Sequence, residues 1–381
     1  MEDSSGLRKV LSEEEGDLME LQKFLQEHND DWEEILGKEP YCLKWNKWKG
    51  FVSFKYNQIR SDFSNPIVRE ARGVVFVEDT WECVSRAFDK FFNYAEPNAS
   101  VIDWTTARVM EKVDGSLMRI FYWEGEWYLI TNSGIDAYTA PTGDINYPTF
   151  GVIFEAGLRN LGYKNLKDFC RSNRLMTFKT YMFELVSPYT RVVIPYNNIA
   201  IYYLGERNMG SYQEGYCPKK FSMLSHPCIY NCSNLFDLIR MAYKLPWDKE
   251  GYVVCDKNFN RIKVKSPQYI LAHYVRNNNV ITEERLMEVI LKGEVEEFSC
   301  YASEYLPKLQ EFQKKKSTLQ AEAELLRSLL QSQFHFTSRK EFASTVNRIS
   351  NPTIRQFCFS DKTWEDMTKD WSAKKWVEKL K

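Results

Sequence analysis

The stretch Met110-Glu111-Lys112-Val113-Asp114-Gly115-Ser116-Leu117 decides how the rest of this chain is read. A short apolar run (Ala107, Val109) precedes it. After it, Leu117 to Trp123 has the pattern of a strand, Glu124-Gly125-Glu126 of a turn, and Trp127 to Ile130 of a return strand, which together sign a β-hairpin. Lys112 therefore sits at the mouth of a sheet, just ahead of an Asp-Gly turn. A lysine held there among other cations has its charge disfavoured, and the neutral amine is a nucleophile. Gly115 leaves room beside the backbone because it has no side chain. Lys-x-Asp-Gly also occurs in ordinary solvated turns, so its meaning rests on what accompanies it and in what order.

The 381 residues, 44% hydrophobic and 27% charged, suit a globular protein of two domains or one large one. Lys and Arg number 51 against 52 Asp and Glu, a balance that neither names nor excludes a nucleic-acid partner, since cations can cluster on one face. Aromatics are frequent, at 15% with 11 Trp. Most belong in a core, and some can stack on bases. No apolar run approaches the ~18 residues of a membrane span, and the acidic, Ser-containing N-terminus has no apolar segment of a signal peptide. The expectation is an intracellular chain with no membrane partner. Nine scattered Cys then read as reduced thiols. Cys217, His226, Cys228 and Cys232 are zinc-ligand types, but their spacing lacks a Cys-x-x-Cys pair, and reduced cysteines in a loop are the favoured reading.

Along the chain, apolar spacing over residues 7–37 predicts one or two amphipathic helices, broken near Asn29-Asp30-Asp31 and ended by Gly37 and Pro40. Tyr41 to Tyr56 turns to an aromatic-rich β pattern. Val74 to Val77 reads as a buried strand, and Cys83 to Lys90 leads into a strand end at Phe91-Phe92-Asn93-Tyr94. Phe150 to Leu161 reads as a helix and Leu166 to Asn173 as a short helix or turn. Met176 to Val186, Arg191 to Ile194 and Ile199 to Leu204 read as strands. A short helix is expected from Leu235 to Tyr243. A hairpin follows, from Glu250 to Val254 and back through Arg261 to Lys265. Lys263 and Lys265, two apart, share one face of that last strand. From about residue 280 helical periodicity dominates, with helices expected at 282–291, 298–330, 338–349 and 362–380.

Together the polar outliers are Arg72, Lys90, Lys112, Glu184, Glu250, Lys263 and Lys265: five cations and two carboxylates at strand ends of an otherwise apolar sheet domain. Nucleotidyl transfer needs such a set. A neutral lysine attacks the α-phosphorus of a nucleoside triphosphate, cations offset charge on the phosphates, and a carboxylate holds a metal ion that orients the leaving pyrophosphate.

The order Lys112-x-Asp114-Gly115-Ser116, Phe183-Glu184-Leu185-Val186-x-Pro188-x-x-Arg191-Val192-Val193, Glu250-Gly251-Tyr252-Val253 and Lys263-x-Lys265-Ser266 resembles motifs I, III with IIIa, IV and V of the covalent nucleotidyltransferases. Within them the chain is similar to the bacteriophage T4 RNA ligase 1-like family of ATP-dependent RNA ligases. Ala71-Arg72-Gly73 and Lys90-Phe91-Phe92-Asn93 add to that likeness, which covers about residues 50–275. The resemblance implies an α+β fold: a mixed-sheet nucleotidyltransferase domain, ATP-grasp-like, over residues 1–278 with an N-terminal helical extension, and an all-helical domain over 279–381 that sets RNA specificity.

It also implies roles by position. Lys112 is the AMP-accepting nucleophile. Lys263 and Lys265 bind the α-phosphate and help expel pyrophosphate, and Arg72 and Lys90 contact phosphates. Glu184 binds the ribose hydroxyls. Glu250 holds the metal directly or through water. Glu111, Asp114 and Gly115 flank the nucleophile in the nucleotide site, with Asp114 assisting the metal or the lysine. Phe183 or a nearby aromatic stacks on adenine, and Tyr56 and Tyr269 match nucleotide-site tyrosines. The implied cofactors are ATP and Mg²⁺, with Mn²⁺ as an alternative. The implied partners are RNA 5′-phosphate and 3′-hydroxyl ends, tRNA among them, met by a monomer in RNA repair. The C-terminal helices carry Lys314-Lys315-Lys316 and Lys374-Lys375-Trp376, which suit a phosphate backbone as well as they suit a solvated face.

One departure stands out. Where the family has a lysine before a glycine in motif Ia, this chain has Asn132-Ser133-Gly134, so either a nearby cation substitutes or phosphate handling is weaker there. No phosphate-binding Gly-x-x-x-x-Gly-Lys-Ser/Thr loop is present, so the 5′-phosphate must arrive already made. Two other readings remain. A DNA ligase or capping-type enzyme would place an OB-fold where helices are expected here, and an inactive RNA-binding relative would not need Lys112 with both carboxylates.

Overall fold

The computed structural model describes residues 18–132, 134, 136–274, 281–300, 302–332 and 338–380. Residues 7–17 of the expected first helix, Ser133 and the 278/279 boundary lie outside these. The chain forms two compact units, Met1–His273 and Tyr274–Lys381. Among the described residues no helix is long and apolar enough to cross a membrane.

Among its described residues the first unit holds three sheets. Sheet one runs β1 (Lys44–Trp48), β2 (Phe51–Lys55), β3 (Arg72–Val77), β4 (Cys83–Ser85), all antiparallel. Helices Glu20–Glu27 and Trp32–Leu36 cover one of its faces through Leu21, Leu25, Trp32 and Leu36. A helix not expected from the sequence, Pro66–Glu70, precedes β3; Asn65 caps it and Pro66 opens it.

Sheet three runs β12 (Ile229–Tyr230), β6 (Arg108–Glu111), β13 (Gly251–Cys255), β14 (Arg261–Lys265), β5 (Phe92–Asn93), with the last pair parallel. Helix Leu235–Tyr243 packs on it, and Val109, Tyr252, Val254, Ile262 and Val264 form the core between them.

Sheet two runs β11 (Glu214–Gly215), β10 (Ala200–Asn208), β9 (Lys179–Val186), β7 (Ser116–Trp123), β8 (Glu126–Thr131). The β7–β8 hairpin closes at Glu124-Gly125, both at positive φ, as a two-residue hairpin turn requires. Met118 and Ile120 of β7 and Tyr181, Phe183 and Leu185 of β9 face helices Phe150–Asn160 and Leu166–Ser172. Residues of the opposite parity face the other way: Phe121 and Ile130 meet Phe51 and Val75 of sheet one. Arg119 lies in that interface, fully buried, and its guanidinium donates to the Gly73 carbonyl and to Ser85.

Two strand expectations are corrected. Arg191 to Ile194 is a loop: its amides at Val193 and Ile194 are taken by a side chain, Asp114, so they cannot pair in a sheet. β9 begins at Lys179, after a turn, and not at Met176. A helix also follows β14 directly, Pro267–Tyr274, opened by Pro267.

In the second unit the expected long segments are divided. Val295–Ser299 and Leu306–Ser332 are separate helices, and Pro307 lies in the first turn of the second, where its missing N–H costs nothing. Trp364–Thr368 and Ala373–Leu380 replace one helix over 362–380. The Thr368 hydroxyl bonds back to the Trp364 carbonyl where the first of them ends. Trp364, Trp371 and Trp376 pack together between them, the last two with ring centres 4.9 Å apart.

Gly251 holds sheet three together at the end nearest Lys112. Its φ is +142°, and a Cβ there would stand 2.2 Å from the Val264 carbonyl oxygen. Its carbonyl accepts the Lys112 N–H at 2.9 Å. Gly251→Ala must therefore push β14 away or break that bond. We expect a loss of about 2–4 kcal/mol, read as a lowered Tm in thermal unfolding; an unchanged Tm would show that β14 yields freely.

Candidate active site

The connection Lys112–Gly115 leaves sheet three at the end of β6 and enters sheet two at β7. It is one of the chain's passages between the two sheets. Lys112 Nζ lies 2.8 Å from Oε1 of Glu250, and Lys265 Nζ lies 3.4 Å from the same oxygen. Glu250 is 5% exposed. The pairing of β13 with β14 sets Gly251 opposite Lys265, which brings Glu250 and Lys265 to one strand end. Along β14, Ile262 and Val264 point into the core, so Arg261, Lys263 and Lys265 share the other face. The neighbour of Lys112 is thus a carboxylate with a second lysine behind it, and not a ring of cations as the sequence led one to expect.

Glu184 comes from sheet two. Burial pushes its carboxyl up to about 8. The Lys112 ammonium and the Arg72 guanidinium act against that shift, and the Glu250 and Asp114 carboxylates add to it. Those influences place Lys112, Arg72, Glu184, Glu250 and Asp114 within one electrostatic cluster. Arg72 also donates to the Phe88 carbonyl at 3.1 Å and lies over the Phe91 ring.

Asp114 is 4% exposed and fully engaged. Oδ2 accepts from the amides of Val193 (3.0 Å) and Ile194 (2.8 Å), and Oδ1 accepts from the Tyr269 hydroxyl (2.8 Å). With three protein donors on two oxygens it anchors the loop and the Pro267–Tyr274 helix. Gly115 is likewise filled by the protein: a Cβ there would be 2.5 Å from the Leu185 carbonyl oxygen, so the room it leaves belongs to β9 and not to a ligand. Phe183 is fully buried against Phe154, Phe169 and Tyr203, on the face opposite Glu184, and cannot reach an adenine. Tyr269 is buried with its hydroxyl on Asp114 and serves the loop, not a base.

Lys90 and Tyr56 form a second group. The Lys90 ammonium stands 5.2, 5.1 and 5.4 Å from the ring centres of Tyr56, Phe63 and Phe92, and 3.4 Å from Gln58 Oε1. Gln58 and Phe63 were not singled out from the sequence, and Phe92 only as part of the motif Lys90-Phe91-Phe92-Asn93; an aromatic cage shows only once the chain is folded. Glu111 turns aside to Lys249, whose Nζ is 3.0 Å from Oε1.

Beside the motif Ia departure, the nearest cation on the same hairpin is Arg119, but it is sealed between sheets one and two. The zinc candidates do not assemble. Cys217 and Cys228 are exposed, His226 shares a hydrogen bond with the Phe221 carbonyl, and no group of three or more His, Cys, Asp or Glu able to hold a metal exists among the described residues.

A comparison of the sequence with protein-family models matches RNA ligase over residues 70–269. The chain is 27% identical over 255 residues to a bifunctional polynucleotide kinase/RNA ligase of Autographa californica nuclear polyhedrosis virus, covering 64% of this chain and 36% of that protein. It is 23% identical over 419 residues to an RNA ligase of Rhodothermus phage RM378, covering 90% of this chain and 91% of that protein. Among solved structures, an archaeal ATP-dependent RNA ligase aligns with a TM-score of 0.43 and 12% identity over 74% of this chain and 73% of its own. The family match spans more than half of the sequence and holds Arg72, Lys112, Glu184, Glu250 and Lys265 within it: the chain belongs to the RNA ligase family.

Proposed function

We propose that the protein joins RNA ends with ATP, through AMP carried on Lys112. The observation that carries this is the Lys112–Glu250–Lys265 cluster at the point where sheets two and three meet. In the first step the Lys112 amine attacks the α-phosphorus of ATP. A nitrogen–phosphorus bond forms, the bond to the β-phosphate oxygen breaks, and pyrophosphate leaves. The amine must first shed a proton, and Glu250 at 2.8 Å is placed to take it. Lys265, on the same carboxylate, supplies positive charge for the phosphate oxygens, with Lys263 on the same strand face and Arg72 from sheet one.

The AMP then passes from Lys112 to an RNA 5′-phosphate, and a 3′-hydroxyl displaces it to seal the strand. Both are in-line displacements governed by positioning and charge.

A divalent cation, Mg²⁺ in this proposal with Mn²⁺ as a substitute, fits the donor set. The protein offers the Glu250 carboxylate, and no group of three or more His, Cys, Asp or Glu able to hold a metal exists among the described residues, as suits an ion that brings most of its oxygens as phosphate and water. It would supply neutralisation of phosphate charge. Glu184, neutralised by burial near neutral pH, can donate as well as accept a hydrogen bond to a ribose hydroxyl. The RNAs proposed as substrates include broken tRNA, met by a monomer.

Incubation with α-labelled ATP and Mg²⁺ tests the reading. Wild-type protein should take acid-stable label that pyrophosphate removes, and Lys112→Ala should take none. Lys112→Arg keeps a cation beside Glu250 but no nucleophilic amine. It should keep the wild-type Tm and still take no label. Absence of label on the wild type with any nucleotide would favour an inactive RNA-binding relative, and label from GTP alone a capping-type enzyme.

Glu184 gives a separate pH test on nucleotide-free protein. Its carboxyl is raised from 4.5 to about 8 in the fold. Above pH 4.5 the unfolded chain releases this proton while the folded chain retains it, so the group costs stability progressively as pH rises toward 8. Glu184→Gln removes that cost. The Tm of the variant should rise relative to wild type between pH 5 and pH 8, by a few degrees for about 2 kcal/mol. A difference independent of pH would place the Glu184 carboxyl near its ordinary range.

A further inference from the structure

The helix Leu235–Tyr243 buries Leu238 and Ala242 against sheet three. Its other face is open. Phe236 is 70% exposed, Tyr243 55%, and Trp247, just past the helix, 45%. Five aromatic side chains are exposed among the described residues, and three of the five lie within residues 236–247. On a helix, Phe236, Arg240 and Tyr243 fall within about 60° of one another. Single exposed apolar residues are ordinary; two rings on one helix face with a third just past its end are not.

Cations lie between the rings. The Arg240 guanidinium is 5.8 Å from the Phe236 ring centre and also 3.7 Å from Asp237. Lys244 follows one turn on. A cleft of about 390 Å³ runs beside Arg240 and Lys244, with Asn231, Cys232, Ser233, Asp237 and Met241 completing its lining. Over residues 235–249 the cations are Arg240, Lys244 and Lys249 and the carboxylates Asp237 and Asp248. Flat apolar faces alternating with positive charges are what a single nucleic-acid strand requires: rings for its bases, cations for its phosphates. The face also leads to the reaction. Trp247 is three residues from Glu250, at most about 11 Å along the chain. The segment is tied to the site by Ser266 Oγ on the Leu245 carbonyl (3.2 Å) and by Lys249 on Glu111 (3.0 Å).

We propose that Phe236, Tyr243 and Trp247, with Arg240 and Lys244, form a stacking platform for the single-stranded RNA whose end is joined at Lys112. This rests on the RNA ligase reading and adds to it the surface that holds the strand.

The test uses the full chain and a fluorescent, 5′-phosphorylated single-stranded oligoribonucleotide, with binding read by anisotropy without ATP. Each ring removed should weaken binding at least about fivefold, so the triple variant Phe236→Ala/Tyr243→Ala/Trp247→Ala should lose at least about a hundredfold. Trp247→Phe, which keeps a ring, should stay near wild type. Labelling of Lys112 from ATP needs no RNA and should be unchanged in all variants, which also shows that they fold. Wild-type RNA affinity in a triple variant that still takes label would overturn the platform and leave the ligase reading standing. Loss of a wild-type dimer in the variant, with RNA affinity unchanged, would instead assign the face to a second copy of the chain. A wild type that neither takes label nor binds RNA would overturn both.

Discussion

Glu250 is almost wholly buried and holds two lysines on one oxygen, Lys112 at 2.8 Å and Lys265 at 3.4 Å. A lone buried carboxylate would cost several kcal/mol. The two ammonium groups offset that cost. The arrangement depends on backbone register. Lys112 N–H bonds the Gly251 carbonyl, and Gly251 pairs with Lys265, so a slip of one residue would send Lys265 to the other face of the sheet. Glycine at 251 allows the strands to approach closely enough for this.

The same two-residue alternation divides the neighbouring sheet between structure and chemistry. Phe183 and Leu185 are sealed under the helices at one face of β9, and Glu184 between them emerges on the other. Its desolvation follows from that position, since a strand in mid-sheet gives its side chains little water. Asp114 completes the frame. By accepting two amides from the loop at Val193 and one hydroxyl from Tyr269, it fixes the turn that carries Lys112. Such a turn keeps Lys112 in place.

Much of this could be read in the sequence because strand alternation is local. The hairpin Ser116–Thr131, the lysines of β14 and Glu184 flanked by apolar residues all follow from period two. What could not be read depends on distant partners. Arg191 to Ile194 has the composition of a strand, yet its amides go to an aspartate almost eighty positions earlier. Tyr269 looks like a ligand-facing aromatic until its hydroxyl finds Asp114. The rings around Lys90 come from β5 and from the loop that follows β2, and no spacing rule joins them. Helices at Pro66–Glu70 and Pro267–Tyr274 did leave a signal, a polar residue before proline, that was too short to register beside the stronger β patterns.

The overall charge bears on how such a protein meets RNA. With 51 basic and 52 acidic residues the net charge gives a polyanion no overall attraction, and cations must act where they cluster. Contact must then be local. Cations concentrated at Lys112, Lys265 and Arg72 act at short range and suit the reacting phosphates alone. The strand itself needs another source of affinity, and stacking supplies one that does not weaken with salt as phosphate contacts do. Rings exposed beside the site therefore answer a requirement that the near-neutral composition creates. A strongly basic relative would not need them, because its phosphates could be held by charge alone.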